Sequence, residues 1–311
     1  ATSSRPASPR CAVRPLARLW RVLVDGESGV VTRVVTLSLK PLVVEVENFL
    51  DGGENGHIIE RAKPHMAKSG VALKDADKGK AAKEFRTSSQ YFLPTTRDPT
   101  LEKIDRRVSW LTRIPISHAE YIQVLKYNHL EHYSAHHDYF DPAAYASNQQ
   151  MLRSVEHGAK NRLATVFFYL NSLVGEGEAP ESGGGQTNFP RAATTAYPNG
   201  GPPVHDYFDC SRGLSVYPQE GKIIIFYSML PNGEMDDYSL HGGGGVLFGH
   251  CDAALVEHHS LHFRRLRRPL QQRYQVERQL LALEQAVPLR GPGPPASDQG
   301  ADGGVDLTRW N

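Results

Sequence analysis

Short apolar runs separated by turn residues dominate the chain from Tyr121 onward: YIQVLKY at 121–127, LATVFFYL at 163–170 and KIIIFY at 222–227, with Gly and Pro clusters between them. Runs of this length and composition predict buried strands, and their punctuation predicts a β-sandwich or jelly roll. The earlier part of the chain reads differently. In LKPLVVEVENFL from Leu39, the residues Leu42, Val44 and Val46 share one face of a strand, and residues 54–66 then follow a helical pattern. Asp98 before Pro99 is a helix start, a capping carboxylate followed by a residue suited to the first turn, and Leu101, Ile104, Val108 and Leu111 recur at helical steps. Helices therefore precede most of the strands and are expected to buttress the sheets.

The same pattern divides the chain. Residues 1–36 are expected to be a disordered or targeting-like segment, because residues 1–24 hold five arginines and no acid among Ala, Ser and Pro. The catalytic-type domain is expected over 37–258. A basic run (Arg264, Arg265, Arg267, Arg268) and a helical stripe (Val276, Leu280, Leu283, Val287) predict a basic, amphipathic helical extension over 259–289, and 290–311 reads as a disordered tail. Within the domain, residues 176–185 and 192–205 are rich in Gly, Pro or acid and are expected to be mobile surface loops.

Composition changes this picture little. With 311 residues, 40% of them hydrophobic, the chain can bury a full core. Its 35 Lys and Arg against 34 Asp and Glu give no global argument for a nucleic-acid partner. No run approaches the ~20 apolar residues of a membrane span, so no membrane anchor is expected in the chain as it stands, which without an initiator Met reads as a fragment or processed form. Three cysteines (Cys11, Cys210, Cys251) make neither a disulfide framework nor a zinc pattern.

Candidate chemistry sits in YSAHHDYF at 133–140. In an extended chain residues i and i+2 point to one face, so His136 and Asp138 can converge on one ion while His137 points away. His241 follows a strand-like run and precedes four glycines. Two histidines and one carboxylate from distant strands are the donor set of a non-haem Fe(II) facial triad, which leaves three metal positions open.

In their order along the chain, KPLVVEVENFL, DKGK, EFRTS, QVLKY, HHDYFDP, RLATVFFYLN, GGQTNFP and CSRGLSVYPQEGKIIIFYSMLPNGEMDDYSLHGG resemble the plant and algal type of prolyl 4-hydroxylase, an Fe(II) and 2-oxoglutarate dependent dioxygenase. The resemblance covers about two thirds of the chain. It implies an α+β fold with a double-stranded β-helix (jelly-roll) core, and His136, Asp138 and His241 as iron ligands. It also places Tyr127 and Thr187 in the 2-oxoglutarate pocket and Tyr133 and Arg162 near the peptide. The reaction it implies is procollagen-proline-type 4-hydroxylation of proline-rich chains, giving succinate and CO2, with ascorbate as reductant, in the endoplasmic reticulum or Golgi lumen.

Three departures stand against this pattern. The family's lysine, ten residues after the distal histidine and paired with the far carboxylate of 2-oxoglutarate, is Cys251 here, with His250, His259 and Arg264 as nearby substitutes by sequence. Gly244-Gly245 replaces the family's Cys-Pro and leaves Cys210 without its expected partner. After Gly249 the family's final strand gives way to HCDAALVEHHSLHFRRLRRPL. The alternative function is accordingly an impaired homologue that binds iron and Pro-rich peptides without turnover, and a further one is an oxygenase with another substrate.

Overall fold

The structure, a computed structural model, describes residues 19–24, 31–174, 177–243 and 254–264, all within one compact unit, Ala1–Leu270. Among the described residues, thirteen strands form two antiparallel sheets. In chain order they are β1 (Leu19–Val24), β2 (Val31–Leu39), β3 (Leu42–Val46), β4 (Ala67–Lys68), β5 (Ser89–Leu93), β6 (Ile122–Tyr127) and β7 (Tyr133–His136). There follow β8 (Lys160–Tyr169), β9 (Thr187–Phe189), β10 (Leu214–Val216), β11 (Ile223–Tyr227), β12 (His241–Gly243) and β13 (Ala254–Arg264). Nine make the larger sheet, ordered β1-β2-β3-β11-β8-β13-β6-β5-β4, and four the smaller, ordered β10-β9-β12-β7. This two-sheet antiparallel architecture is the expected jelly roll.

Alternation along the strands builds the core on both faces of the larger sheet. Val44, Val46, Val166, Phe168, Ile223 and Ile225 pack into a cluster with the helices, whereas Val43, Tyr169, Ile224 and Phe226 point the other way, into a cluster shared with Phe189 and Val216 of the smaller sheet. The run KIIIFY thus has no polar face because both of its faces are covered.

The helices on the outer cluster follow the sequence closely. Helix α1 (Gly52–Ala62) begins two residues before the expected Glu54 because Asp51 and Glu54 close a capping box, and Pro64 lies in the short 3-10 turn that ends it. Helix α2 (Pro99–Thr112) buries Leu101, Ile104 and Val108 completely, while Leu111 packs partly buried against them. Asp98 caps α2 through the backbone N–H groups of Thr100 and Leu101, and its carboxylate also lies 2.8 Å from His57 Nε2 on α1. Asp98→Ala removes all three contacts and is expected to cost about 1–2 kcal/mol of stability, read as a lower denaturation midpoint at an unchanged m-value.

Two boundaries are corrected. Order does not begin near Leu37: β1 and β2 pair residue for residue from Leu19↔Thr36 to Val24↔Val31. Composition averaged over residues 1–36 had hidden a period-2 pattern that places Val35 in the core and continues at Leu37, both of them buried. Nor does the domain stop at 258, since β13 runs to Arg264 between β6 and β8, where the sequence had promised no final strand and a helical extension from 259. Without it the facing edges of β6 and β8 would leave main-chain groups unpaired inside a sheet, and main-chain pairing is largely indifferent to which side chains the strand carries. The helical stripe at 276–287, the tail at 290–311 and Cys251 lie outside the described residues. The 192–205 loop is anchored at its start, where Ala192 and Thr194 are buried and Ala193 N–H donates to Lys40 O at 2.7 Å. Among the described residues, no helix is long and apolar enough to cross a membrane.

Candidate metal centre

Strand β7 ends at His136, and Asp138 follows two residues on, so the extended backbone sends both side chains to one side. His136 Nε2 lies 3.7 Å from Asp138 Oδ1. His137 turns away, its Nε2 3.2 Å from the Asp237 carbonyl oxygen. On the neighbouring strand, β12 begins at His241, which is the cross-strand partner of His136. His241 Nε2 lies 3.7 Å from Asp138 Oδ2, and the three ligand atoms all fall within 4.8 Å of one another. Among the described residues this is the one cluster of His, Cys, Asp or Glu that could hold a metal ion.

Local hydrogen bonds set the tautomers. Each Nδ1 faces a backbone carbonyl two residues upstream, His136 to Ser134 O and His241 to Ser239 O, both at 2.9 Å. A carbonyl only accepts, so the proton sits on Nδ1 and the Nε2 lone pair is directed into the site. Burial, reinforced by the neighbouring His241, holds the His136 pKa well below the usual imidazole range and so keeps the ring neutral. Asp138 Oδ2 accepts from the Thr165 hydroxyl at 2.5 Å, which fixes the carboxylate orientation. Thr165→Val keeps the volume but removes that donor, and a 10- to 100-fold weaker metal affinity is expected, measured by metal titration of the unchanged fold.

The walls are aromatic. Phe226 and Phe189 pack against the His241 ring at centroid distances of 4.5 and 5.6 Å, and Tyr133 stacks on His136 at 3.6 Å. A cavity of about 720 Å³ opens over the three ligands, and Tyr127, Thr187, Tyr133 and Arg162 all line it. Burial raises the Tyr127 pKa and pushes that of Tyr133 up to about 12, so both hydroxyls are neutral. Thr187 Oγ1 accepts from the Tyr169 hydroxyl at 2.8 Å, which leaves its own proton to be donated. Arg162 is held by the Glu120 carboxylate through Nε at 2.8 Å and Nη2 at 2.9 Å, with Nη1 at 3.4 Å from the Asp138 carbonyl oxygen. The structure therefore gathers seven of the eight residues singled out by sequence, and the eighth, Cys251, is among the residues it does not describe. Sequence reading missed Thr165 and Glu120, which carry no local signal beyond lying on or beside apolar runs.

Two imidazoles and one carboxylate on a jelly-roll core, with open space on one side, fit Fe(II) and a bidentate cosubstrate, and define the class of non-haem iron oxygenases. Residues 122–262 match the sequence model of the 2OG-Fe(II) oxygenase superfamily. The chain is 37% identical over 221 residues to Arabidopsis thaliana probable prolyl 4-hydroxylase 10, covering 70% of this chain and 68% of that protein. It is 34% identical over 229 residues to Arabidopsis thaliana prolyl 4-hydroxylase 5, covering 72% and 70%. A solved structure of the viral collagen prolyl hydroxylase of Paramecium Bursaria Chlorella virus-1, in complex with 2-oxoglutarate, superposes with a TM-score of 0.46 at 20% identity, over 71% of this chain and 95% of that one. The chain belongs to the prolyl 4-hydroxylase family and is an Fe(II) and 2-oxoglutarate dependent dioxygenase. These relationships lend no support to the alternative of an impaired homologue.

Proposed function

We propose that this chain hydroxylates peptidyl proline at C4 within proline-rich, extended segments. The observation that carries the reading is the convergence of His136, Asp138 and His241 under a cavity lined by Tyr133 and Arg162, in a chain whose relatives are prolyl 4-hydroxylases. His136, Asp138 and His241 would hold Fe(II), and the open space beside them would admit cosubstrate and oxygen. When bound, iron and 2-oxoglutarate supply the oxidising chemistry, releasing succinate and CO2.

The protein's own groups do the rest. Tyr127 and Thr187 offer neutral hydroxyls to the cosubstrate. Tyr133 stacks on the His136 ring and covers one of its faces. Arg162, already neutralised by Glu120, presents its remaining surface to peptide carbonyl groups rather than to an anion. A polyproline II segment, which has no internal hydrogen bonds and little ordering entropy to lose, suits an aromatic-lined cleft of this kind. Ascorbate would serve as the accessory reductant, and the endoplasmic reticulum or Golgi lumen is the compartment where secreted proline-rich chains would meet the enzyme.

The test is incubation of the chain with Fe(II), 2-oxoglutarate, ascorbate and a poly-proline peptide, followed by assay of succinate and of 4-hydroxyproline in the hydrolysed peptide. Stoichiometric appearance of both is expected. Succinate without hydroxyproline, for every proline peptide offered, would leave the oxygenase and remove the substrate.

A further inference from the structure

We propose that Arg86 binds the carboxylate of 2-oxoglutarate farthest from the metal, the role a lysine fills in related chains and that Cys251 cannot fill as a cation here. The proposal rests on 2-oxoglutarate being the cosubstrate. Arg86 lies on a short segment that pairs with β7 beside the metal ligands: Arg86 bridges Tyr133, Thr87 N–H donates to His132 O at 3.1 Å, and Ser134 N–H donates to Phe85 O at 2.8 Å. This pairing delivers the guanidinium onto the Tyr133 ring, 4.4 Å from its centroid, and the same ring stacks on His136. Arg86 lines the cavity and is only 5% exposed.

Its hydrogen bonding is incomplete. Nε donates to Ser88 Oγ at 2.8 Å, but the buried Nη2 has no partner. Among the described residues no carboxylate comes within ion-pair distance of it. Other cations that are buried or partly buried among the described residues do have a counter-charge: Arg107 pairs with Glu54 at 2.7 Å, Arg162 with Glu120 at 2.8 Å and Lys222 with Glu45 at 3.2 Å. A buried guanidinium with no counter-charge is costly unless a ligand provides one, and its planar fork matches a carboxylate.

The surroundings suit that ligand. The Tyr127 hydroxyl lies against Arg86 and Ser88 and stays neutral because of burial, so it adds a hydrogen bond without competing charge. Of the other described Lys and Arg residues on the cavity wall, Lys74 and Lys80 are exposed, Lys80 pairing with Asp77 at 2.7 Å, and Arg162 is taken by Glu120. The candidates that sequence suggested, His250, His259 and Arg264, are not required.

The experiment measures cosubstrate binding, not turnover. The full chain is loaded with Mn(II) without oxygen and titrated calorimetrically with 2-oxoglutarate and with 2-oxobutyrate, which keeps the 2-oxo acid but lacks the distal carboxylate. The unaltered chain is expected to prefer 2-oxoglutarate by about 10- to 100-fold. Arg86→Gln should erase that preference while leaving Mn(II) and 2-oxobutyrate affinity intact, and Arg86→Lys should restore part of it. The proposal is overturned if the unaltered chain does not discriminate, if Arg86→Gln binds 2-oxoglutarate normally and loses only peptide affinity, or if it loses both oxo acids equally. Failure to hydroxylate proline peptides would leave each of these readings interpretable.

Discussion

Alanine at His136, Asp138 or His241 is expected to abolish iron retention and succinate release together, with metal affinity lower by well over about 100-fold. Loss of an outer-shell partner already costs 10- to 100-fold, and loss of a ligand removes the bond that the partner only orients. The three side chains lie in a common pocket with Nε2 atoms 3.7 Å from the two oxygens of one carboxylate, so none has a substitute nearby. Among the described residues, His137 is adjacent in sequence but bonded to Asp237 O, and burial is the main cause that lowers its pKa to about 4. His137→Ala is therefore the matched control and should keep its iron. Elemental analysis of the purified variants beside succinate release decides the matter: full iron content in any of the three alanine variants would dismiss that residue as a ligand.

Much of this site was legible because extended chain has simple rules. A spacing of two residues places His136 and Asp138 on one face whatever the rest of the protein does, and His241 stood out after a strand-like run and before four glycines. The second helix was legible through its cap, Asp98 with Pro99, and through the helical spacing of Leu101, Ile104 and Val108, whereas the capping box of Asp51 and Glu54 went unread and the first helix was placed two residues late. What sequence left out depends on burial and on distant pairing. Nothing local distinguishes Thr165 from any other threonine in a strand, yet β8 brings it to Asp138. Arg86 stands in the motif EFRTS, but its burial, its stacking on Tyr133 and its unpartnered nitrogen exist only once that segment lies along β7. The edges of the domain were misread for the same reason: β1 and β13 are held by main-chain ladders, and composition records side chains.

The separation of the ligands is set by the spacing of β7 and β12, and Gly242 sets that spacing. A Cβ at Gly242 would lie 2.9 Å from Ala135 N, 3.0 Å from Ala135 Cα and 3.0 Å from Tyr133 O, all of them backbone atoms of β7. Unlike a flexible side chain, a paired strand cannot step aside locally, so Gly242→Ala has to push β12 off β7 at the point where His241 faces His136. Displacing a positioned group by about 1 Å can cost on the order of 100-fold, and a loss of that order in metal affinity and in succinate release is expected. Gly243 offers the contrast within the same strand, because a Cβ there meets nothing closer than 3.9 Å, and Gly243→Ala should keep its metal. The informative comparison is a metal titration of both variants alongside thermal unfolding. Equal metal affinity in the two would mean that the sheet absorbs the methyl group and that the ligand geometry is held from elsewhere. A selective loss in Gly242→Ala, with unfolding still cooperative, would make the strand spacing itself part of the metal site.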